Sequence, residues 1–339
     1  MKLLQNITYI NFLQVVLSAS LRIFLPLYLL TKNFKIEEIG LLFAILPLVM
    51  MVIRAIFASI ADIIGTKLIF RRTEIYRSVE SGKKEKFASF MLGVRFLGDV
   101  AGQILIALFL TYVAFSNTLL ALILISLILL YLTFKTNNQQ DGKINPNLVL
   151  EQIFQKRDRS FWTVSIIMSI AAIYEIGMYT GFVLPIYFST VLNMNPLEMG
   201  LAFALYSLFY AIGTLSSVKF HIPLKINAIL SVILVSVPLI LFIYLDKFSL
   251  YPILALIALG AGFGGHLYES AFAKLTSKSS LVSTDIGVSV IPYRIIEIVS
   301  LASFGFLIVS FGYGLIFNLV SISVFLMTLL IYPYLKGKN

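Results

Sequence analysis

The chain has 339 residues, of which 59% are hydrophobic and only 12% are charged, and its mean hydropathy is +0.96. This charged fraction is about half that of an ordinary soluble domain, so the composition excludes a soluble enzyme, a disordered chain and a coiled coil. The sequence has no cysteine and two histidines, which excludes disulfides, thiolate metal sites and multi-histidine redox centres.

Ten apolar runs follow one another along the chain, and each is long enough to cross a bilayer as a helix. They are 8–30, 38–61, 88–114, 117–134, 161–190, 196–217, 225–245, 249–271, 285–310 and 313–335. We therefore expect an all-α polytopic membrane protein with a helical half at 1–134, a cytoplasmic linker at 135–160 and a second helical half at 161–339. The polar stretches at 62–87 and 135–160 are too short to fold as catalytic domains.

The positions of the basic residues predict the orientation of these helices. If the N-terminus lies inside, the outside loops hold only Lys32, Lys35 and Lys247, and nearly all other loop lysines and arginines lie inside. This strong positive-inside bias predicts a multi-pass protein of the plasma membrane with both termini in the cytoplasm. The net charge of +10 thus reflects topology, with anionic membrane lipids and not nucleic acid as its partner.

The two halves share an internal repeat. Residues 24–44 and 183–204 both contain Leu-Pro-x-Tyr followed by Glu-x-Gly, which aligns Gly40 with Gly200. A weaker match aligns the arginine and acid at 95–99 with those at 294–297. The spacing between the two matches is about 39 residues shorter in the first half, which is the length of two short spans. We therefore expect four spans in the first half and six in the second.

Residues 58–70, at the end of the second run, read Ala-Ser-Ile-Ala-Asp-Ile-Ile-Gly-Thr-Lys-Leu-Ile-Phe. Asp62, Gly65 and Lys67 match the G-x-L-A-D-r-x-G-r-K signature that follows the second helix in the major facilitator superfamily. Together with the repeat, the linker and the inside termini, the resemblance covers nearly the whole chain. The third helix of the family and most of its fourth have no counterpart at 68–87.

The resemblance implies two helical halves around a central cavity and a secondary transporter of a small solute that works by alternating access with ion or proton coupling. It implies that Asp62, Gly65 and Lys67 form a gating loop between the halves. No cofactor and no enzymatic activity are expected. Because two helices are missing beside the first helix, we also expect a homodimer that covers the gap or a half of low stability.

Polar and ionisable residues at membrane depth are costly, so they are candidates for contacts with a substrate or coupling ion. The candidates are Asn11, Gln14, Arg22, Arg95, Asp99, Glu175, Tyr179, His266, Glu269, Arg294 and Glu297. In the fold that the chain resembles, the first and seventh helices face each other across the cavity, so Arg22 and Glu175 are expected to meet there.

Each group of candidates also has a structural explanation. Arg22 and Glu175 are spaced to form an ion pair between the halves. The acid and arginine at 95–99 and at 294–297 are spaced to bond within one helix. His266 and Glu269 fit the polar end of a membrane helix.

Three functions compete at this point: a secondary transporter, a truncated relative that acts as a membrane scaffold or has no activity, and a membrane-embedded enzyme. The enzyme is the weakest, because the sequence has no HExxH motif and no nucleophile elbow. An ATP-driven pump is excluded, since no GxxxxGK[ST] motif is present. The G-x-G-x-x-G pattern at 260–265 lies inside an apolar run, so we interpret it as close helix packing.

Overall fold

The computed structural model describes residues 2–64, 84–113, 115–135, 146–276 and 282–336. The regular structure in these ranges is helical, because a chain in lipid must satisfy its backbone hydrogen bonds within each segment. Before the linker lie α1 (Lys2–Thr31), α2 (Ile36–Ile64), α3 (Lys84–Tyr112) and α4 (Phe115–Lys135). The linker contains α5 (Pro146–Phe154). After it come α6 (Arg159–Ser169), α7 (Ala171–Glu175), a π-helical turn (Ile176–Thr180), α8 (Val183–Thr190), α9 (Pro196–Lys219), α10 (Leu224–Leu241), α11 (Lys247–Thr276), α12 (Val282–Ser289), α13 (Ile291–Phe311) and α14 (Tyr313–Lys336).

Nine of the ten predicted spans appear in the described ranges as segments long and apolar enough to cross a membrane. The exception is the predicted fourth span at 117–134. It forms α4, but the apolar stretch that is described there, Asn117–Ile128, is shorter than a full crossing requires.

Two predicted spans are interrupted helices. The span at 161–190 is divided into α6, α7, the π-helical turn and α8, and the span at 285–310 is divided at Val290 into α12 and α13. A Cβ on Gly181 would lie 2.3 Å from the carbonyl oxygen of Ile176, so only glycine allows the chain to close up after the π-helical turn. In α13, Pro292 occupies the first turn, where its missing N–H costs no helical bond.

The start of α9 is fixed by its own sequence. The Asn195 side chain accepts a hydrogen bond from the backbone N–H of Glu198 at 2.9 Å, and the Glu198 carboxylate accepts one from the N–H of Asn195 at 2.8 Å. This reciprocal capping box, followed by Pro196 in the first turn, satisfies N–H groups that a helix start leaves free. The cap therefore fixes the residue at which α9, a helix of the second copy of the repeat, begins.

The two halves meet through two crossed helix pairs, α2 with α13 and α3 with α9. A Cβ on Gly40 of α2 would lie 2.6 Å from the carbonyl oxygen of Leu301, and a Cβ on Gly200 of α9 would lie 2.1 Å from the Cβ of Ala107. These are the two glycines that the repeat aligns. The pairing is the one that a twofold relation produces when α2 corresponds to α9 and α3 to α13, which is the correspondence in the repeat.

The glycines at 260–265 serve packing, as the sequence indicated. A Cβ on Gly262 would lie 2.4 Å from the carbonyl oxygen of Tyr210, and a Cβ on Gly213 would lie 2.4 Å from that of Leu259. α9 and α11 therefore cross at backbone contact. This close crossing puts Tyr210 beside the space at the centre of the protein.

Candidate functional site

A cavity of about 620 Å³ lies between the two halves. Its walls come from α1, α2 and α3 on one side and from α7, the π-helical turn, α9, α10, α11, α13 and α14 on the other. Most of the predicted site residues line it: Gln14, Arg22, Arg95, Glu175, Tyr179, Glu269, Arg294 and Glu297. Residues more than 270 positions apart in the chain are thus brought into one chamber at membrane depth.

The remaining candidates lie elsewhere. Asp99 is fully buried just behind the wall. His266 is also buried, and its Nδ1 lies 2.8 Å from the Ser89 hydroxyl of α3. The side chains of Asn11 and Asp62, and residues Gly65 and Lys67 as a whole, are outside the described part of the structure, so the gating loop stays a prediction.

Arg22, Asp99 and Tyr179 form a cluster that joins the two halves. Arg22 Nη1 lies 3.4 Å from Asp99 Oδ1, and the Arg22 guanidinium carbon lies 4.4 Å from the centre of the Tyr179 ring. The Tyr179 hydroxyl donates a hydrogen bond to Asp99 Oδ2. Because Asp99 belongs to α3 and Tyr179 to the π-helical turn, this carboxylate links the first half to the second.

The partner of Arg22 differs from the expected one. Arg22 pairs with Asp99 and not with Glu175, and Asp99 is bound from two other helices instead of by Arg95 of its own helix. The physical reason is a close crossing of α1 and α3, where a Cβ on Gly102 would lie 2.3 Å from the carbonyl oxygen of Val16. At this separation the Arg22 side chain reaches across to the buried carboxylate.

Glu175 is held by a residue that the sequence analysis missed. The Tyr293 hydroxyl donates a hydrogen bond of 2.5 Å to Glu175 Oε2. Both residues stand beside a helix interruption, since Glu175 precedes the π-helical turn and Tyr293 follows the break at Val290. Glycine at 177 and 181 and proline at 292 were the available signals for these interruptions, which in membrane proteins often mark binding sites.

Arg294 and Glu297 form the bond within one helix that their spacing predicted, because Arg294 Nη1 donates to Glu297 Oε2 within α13. Arg95 is different. It is exposed, it lines the cavity, and it makes no hydrogen bond or ion pair with any residue in the described ranges. Among the described residues, Arg95 is thus a cavity-lining cation without a hydrogen bond or ion pair, in a wall that also contains Glu175 and Glu269.

Aromatic rings form the wall of the second half. The Tyr174 and Tyr206 hydroxyls are 2.5 Å apart, and the Tyr206 ring stacks on that of Tyr179 with centres 5.7 Å apart. Tyr210 stacks on Phe96 of α3, which brings the rings of the two halves into contact. The site thus combines a few fixed charges with an aromatic lining, a composition typical of cavities that bind organic molecules.

Further contacts join the segments before and after residue 135 at the two ends of the helix bundle. At the end where α2 begins, the glycine crossings at Gly40 and Gly200 bring the halves together. At the opposite end, Arg157 Nε of the segment before α6 lies 2.9 Å from Asp285 Oδ1 of α12. There the Ser59 hydroxyl of α2 also donates to Gln152 Oε1 of α5 at 2.8 Å.

No protein-family sequence model matches the chain, and no curated protein matches it in sequence. Solved structures do resemble it. The human organic anion transporter MFSD10 (TETRAN) shares 13% identity with a TM-score of 0.59, over 96% of this chain and 99% of that chain. A bacterial homologue of the iron transporter ferroportin, in an outward-facing state, shares 12% identity with a TM-score of 0.59, over 97% of this chain and 98% of that chain. At these identities the likeness concerns the fold alone, and it supports the major-facilitator-like fold that the sequence predicts.

Proposed function

We propose that this protein is a secondary transporter that moves a small organic solute through the central cavity by alternating access, coupled to an ion or proton. The observation that carries the proposal is the Arg22–Asp99–Tyr179 cluster, which joins the two halves beside the cavity. Charged side chains at this depth are expensive for a purely structural contact, and they usually belong to a substrate or ion pathway.

The cluster offers a physical route from binding to motion. The Tyr179–Asp99 bond crosses the boundary between the halves, so any rocking of one half against the other must stretch or break it. A solute that contacts Arg22, or a cation that neutralises Asp99, competes with the same bonds. Such a ligand stabilises one arrangement of the halves over the other by its difference in affinity for the two.

An organic molecule with an anionic group is the solute class that we propose, with Arg95 as the partner of that group in a cavity that also contains Glu175 and Glu269. Arg95 presents a cation to the cavity without a partner in the described ranges, and the aromatic wall suits the apolar part of an organic molecule. The described residues contain no group of three or more His, Cys, Asp or Glu that could hold a metal ion, which disfavours iron. The human neighbour is an organic anion transporter by name, and this agrees with the proposed class.

Glu175 is the first candidate for the coupling ion. Its carboxylate lines the cavity, and its hydrogen-bond donor is the neutral hydroxyl of Tyr293. A proton or cation that binds Glu175 changes the charge of the cavity without breaking an ion pair. Glu175→Gln is therefore expected to abolish the dependence of uptake on an imposed ion or proton gradient while leaving solute binding intact.

Uptake into proteoliposomes tests the function. Purified protein is reconstituted, a proton gradient is imposed, and entry of the impermeant organic anion 6-carboxyfluorescein is followed. We expect uptake by the unaltered protein, loss with Asp99→Asn, and no loss with Glu151→Gln, which removes an exposed acid of α5. Entry of the dye into protein-free vesicles at the same rate would contradict the proposal. An uptake rate that is unchanged by Asp99→Asn would contradict it too.

Labelling of a single introduced cysteine tests alternating access without a known solute. The chain has no native cysteine, so Leu17→Cys in the cavity wall gives one labelling site. In vesicles of both orientations, Asp99→Asn is expected to raise labelling from one side and lower it from the other. A non-transporting scaffold predicts the same labelling from both sides in both backgrounds.

A further inference from the structure

Within the described ranges, the cavity is open on one side, between α1 and α2. These helices are joined by residues 32–35 but hardly touch otherwise, because α1 packs on α3 whereas α2 packs on α13. Leu21, Leu25 and Leu46 line the cavity there and are 38%, 40% and 68% exposed. The same side chains therefore belong both to the cavity wall and to the surface that faces lipid.

The opening is polar at one end and apolar at the other. Gln14 and Ser18 are exposed on the face of α1 that continues to Leu21 and Leu25, since positions 14, 18, 21 and 25 repeat at helical spacing. Arg95 of α3 lines the same cavity. A ligand that fills the opening thus meets amide, hydroxyl and guanidinium groups at one end and leucine side chains at the other.

An anion is favoured at Arg95 and not by the cavity as a whole, because the acids Glu175 and Glu269 line the same cavity. Asp99 neutralises Arg22, and Glu297 neutralises Arg294. Arg95 has no such partner within the described ranges, so its charge is available to a ligand. An anionic group beside a guanidinium gains charge-assisted hydrogen bonds that a neutral or zwitterionic group does not match.

We propose that the cavity accepts a single-chain anionic lipid from the bilayer through the opening between α1 and α2. The headgroup lies against Arg95 and Gln14, and the acyl chain lies along Leu21, Leu25 and Leu46, partly in the surrounding lipid. A chain that stays in lipid loses no apolar contact with its surroundings, so a cavity of about 620 Å³ has to hold only the headgroup. Movement of this lipid across the membrane rests on the proposed function, whereas its binding does not.

Fluorescence quenching in nanodiscs tests the binding. Leu21→Cys and Leu46→Cys carry a bimane label, and Leu124→Cys on the exposed face of α4 is the control for ordinary lipid contact. The nanodiscs contain phosphatidylcholine with increasing lysophosphatidylglycerol that bears a nitroxide on its chain. The matched probe is nitroxide lysophosphatidylcholine, which has the same chain and a zwitterionic headgroup.

We expect the anionic probe to quench the labels at 21 and 46 at a lower concentration than the label at 124. Arg95→Gln is expected to raise the half-quenching concentration at 21 and 46 by about tenfold. Arg95→Lys is expected to keep most of the preference, and Arg159→Gln, which removes an exposed charge outside the cavity, is expected to leave it unchanged.

Equal quenching at all three positions, or a preference that survives Arg95→Gln, would overturn the proposal. Protection of the labels at 21 and 46 from both probes would also overturn it, because protein would then cover the opening. Disulfide formation between copies carrying Leu46→Cys would identify a homodimer as that cover. Anionic lipid binding without uptake of any solute would refute the transport function alone, and solute uptake without lipid preference would refute the lipid site alone.

Discussion

Neutralising the buried ion pair at Arg22 and Asp99 should show how strongly these two side chains depend on each other. Asp99 is fully buried and the Arg22 side chain is only 12% exposed, so removal of one charge leaves the other in a poorly solvated place. Loss of one member of such a pair costs about 3–5 kcal/mol in free energy of unfolding. Because Arg22 retains some exposure to the cavity, we expect about 3 kcal/mol for Asp99→Asn.

The double variant supplies the decisive comparison. Arg22→Met should cost about as much as Asp99→Asn, because it leaves a buried carboxylate with only the Tyr179 hydroxyl as its donor. With both changes no charge remains unpaired, so the double variant should lose no more than either single variant. The coupling free energy is then about 3 kcal/mol, well above the error of a double-mutant cycle.

Unfolding in mixed detergent micelles, followed by circular dichroism, measures these free energies. Glu151→Gln and Arg159→Met remove exposed charges of the same kinds and should change the unfolding free energy by less than about 0.5 kcal/mol. If the effects of Asp99→Asn and Arg22→Met simply add, the two side chains are not coupled. The cluster would then no longer explain how the halves are held together.

Three further changes test other parts of the structure by the same unfolding assay. Gly200→Ala should destabilise the protein by about 1–3 kcal/mol, because its Cβ would lie 2.1 Å from that of Ala107; an unchanged stability would show that the crossing can relax. Tyr293→Phe should cost about 1–2 kcal/mol, because it removes the hydrogen bond to the Glu175 carboxylate. Tyr293→Leu should cost more, because it also removes the ring. Equal effects of the two changes would rule out the hydroxyl as the cause. Asp158→Ala should cost about 1 kcal/mol at pH 7 as a lost helix cap. Hydrogen bonds from the Ser160 hydroxyl and the first turn of α6 hold the pKa of Asp158 below its ordinary 3.8, so this contribution should be present above pH 3.8 and disappear as the pH falls through the lowered pKa.

The helices and their order were predictable because hydropathy over about 20 residues decides whether a segment enters lipid. The repeat also has a tertiary counterpart that the sequence analysis did not predict, since the glycines it aligns, Gly40 and Gly200, both stand at close helix crossings between the halves. The repeat carries this information because a twofold relation makes equivalent positions meet equivalent surroundings.

The bonds inside the site were less predictable. Spacing along one helix identified the pair Arg294 and Glu297, because the geometry of a single helix fixes the distance between two residues three positions apart. It failed for Asp99, because its partner is chosen by the separation of α1 and α3 and by the rotation of the chain at the π-helical turn. No local pattern encodes either quantity, and the same holds for Tyr293, whose contact depends on two helix interruptions at once.

The two glycine crossings are the contacts about which one half would tilt against the other in the proposed alternating access. Both lie toward the same end of the bundle, at Gly40 against Leu301 and at Gly200 against Ala107. Because a glycine has no side chain, a tilt at these crossings would not have to separate interlocked side chains. From Gly40 to Ser59 the helix is about 28 Å long, so a tilt of about 10° moves the far end by about 5 Å. At the far end, the described contacts that such a movement would change include the ion pair of Arg157 with Asp285 and the hydrogen bond from Ser59 to Gln152. The proposed rocking would therefore keep the backbone contacts at Gly40 and Gly200 and would change the described side-chain contacts at the opposite end.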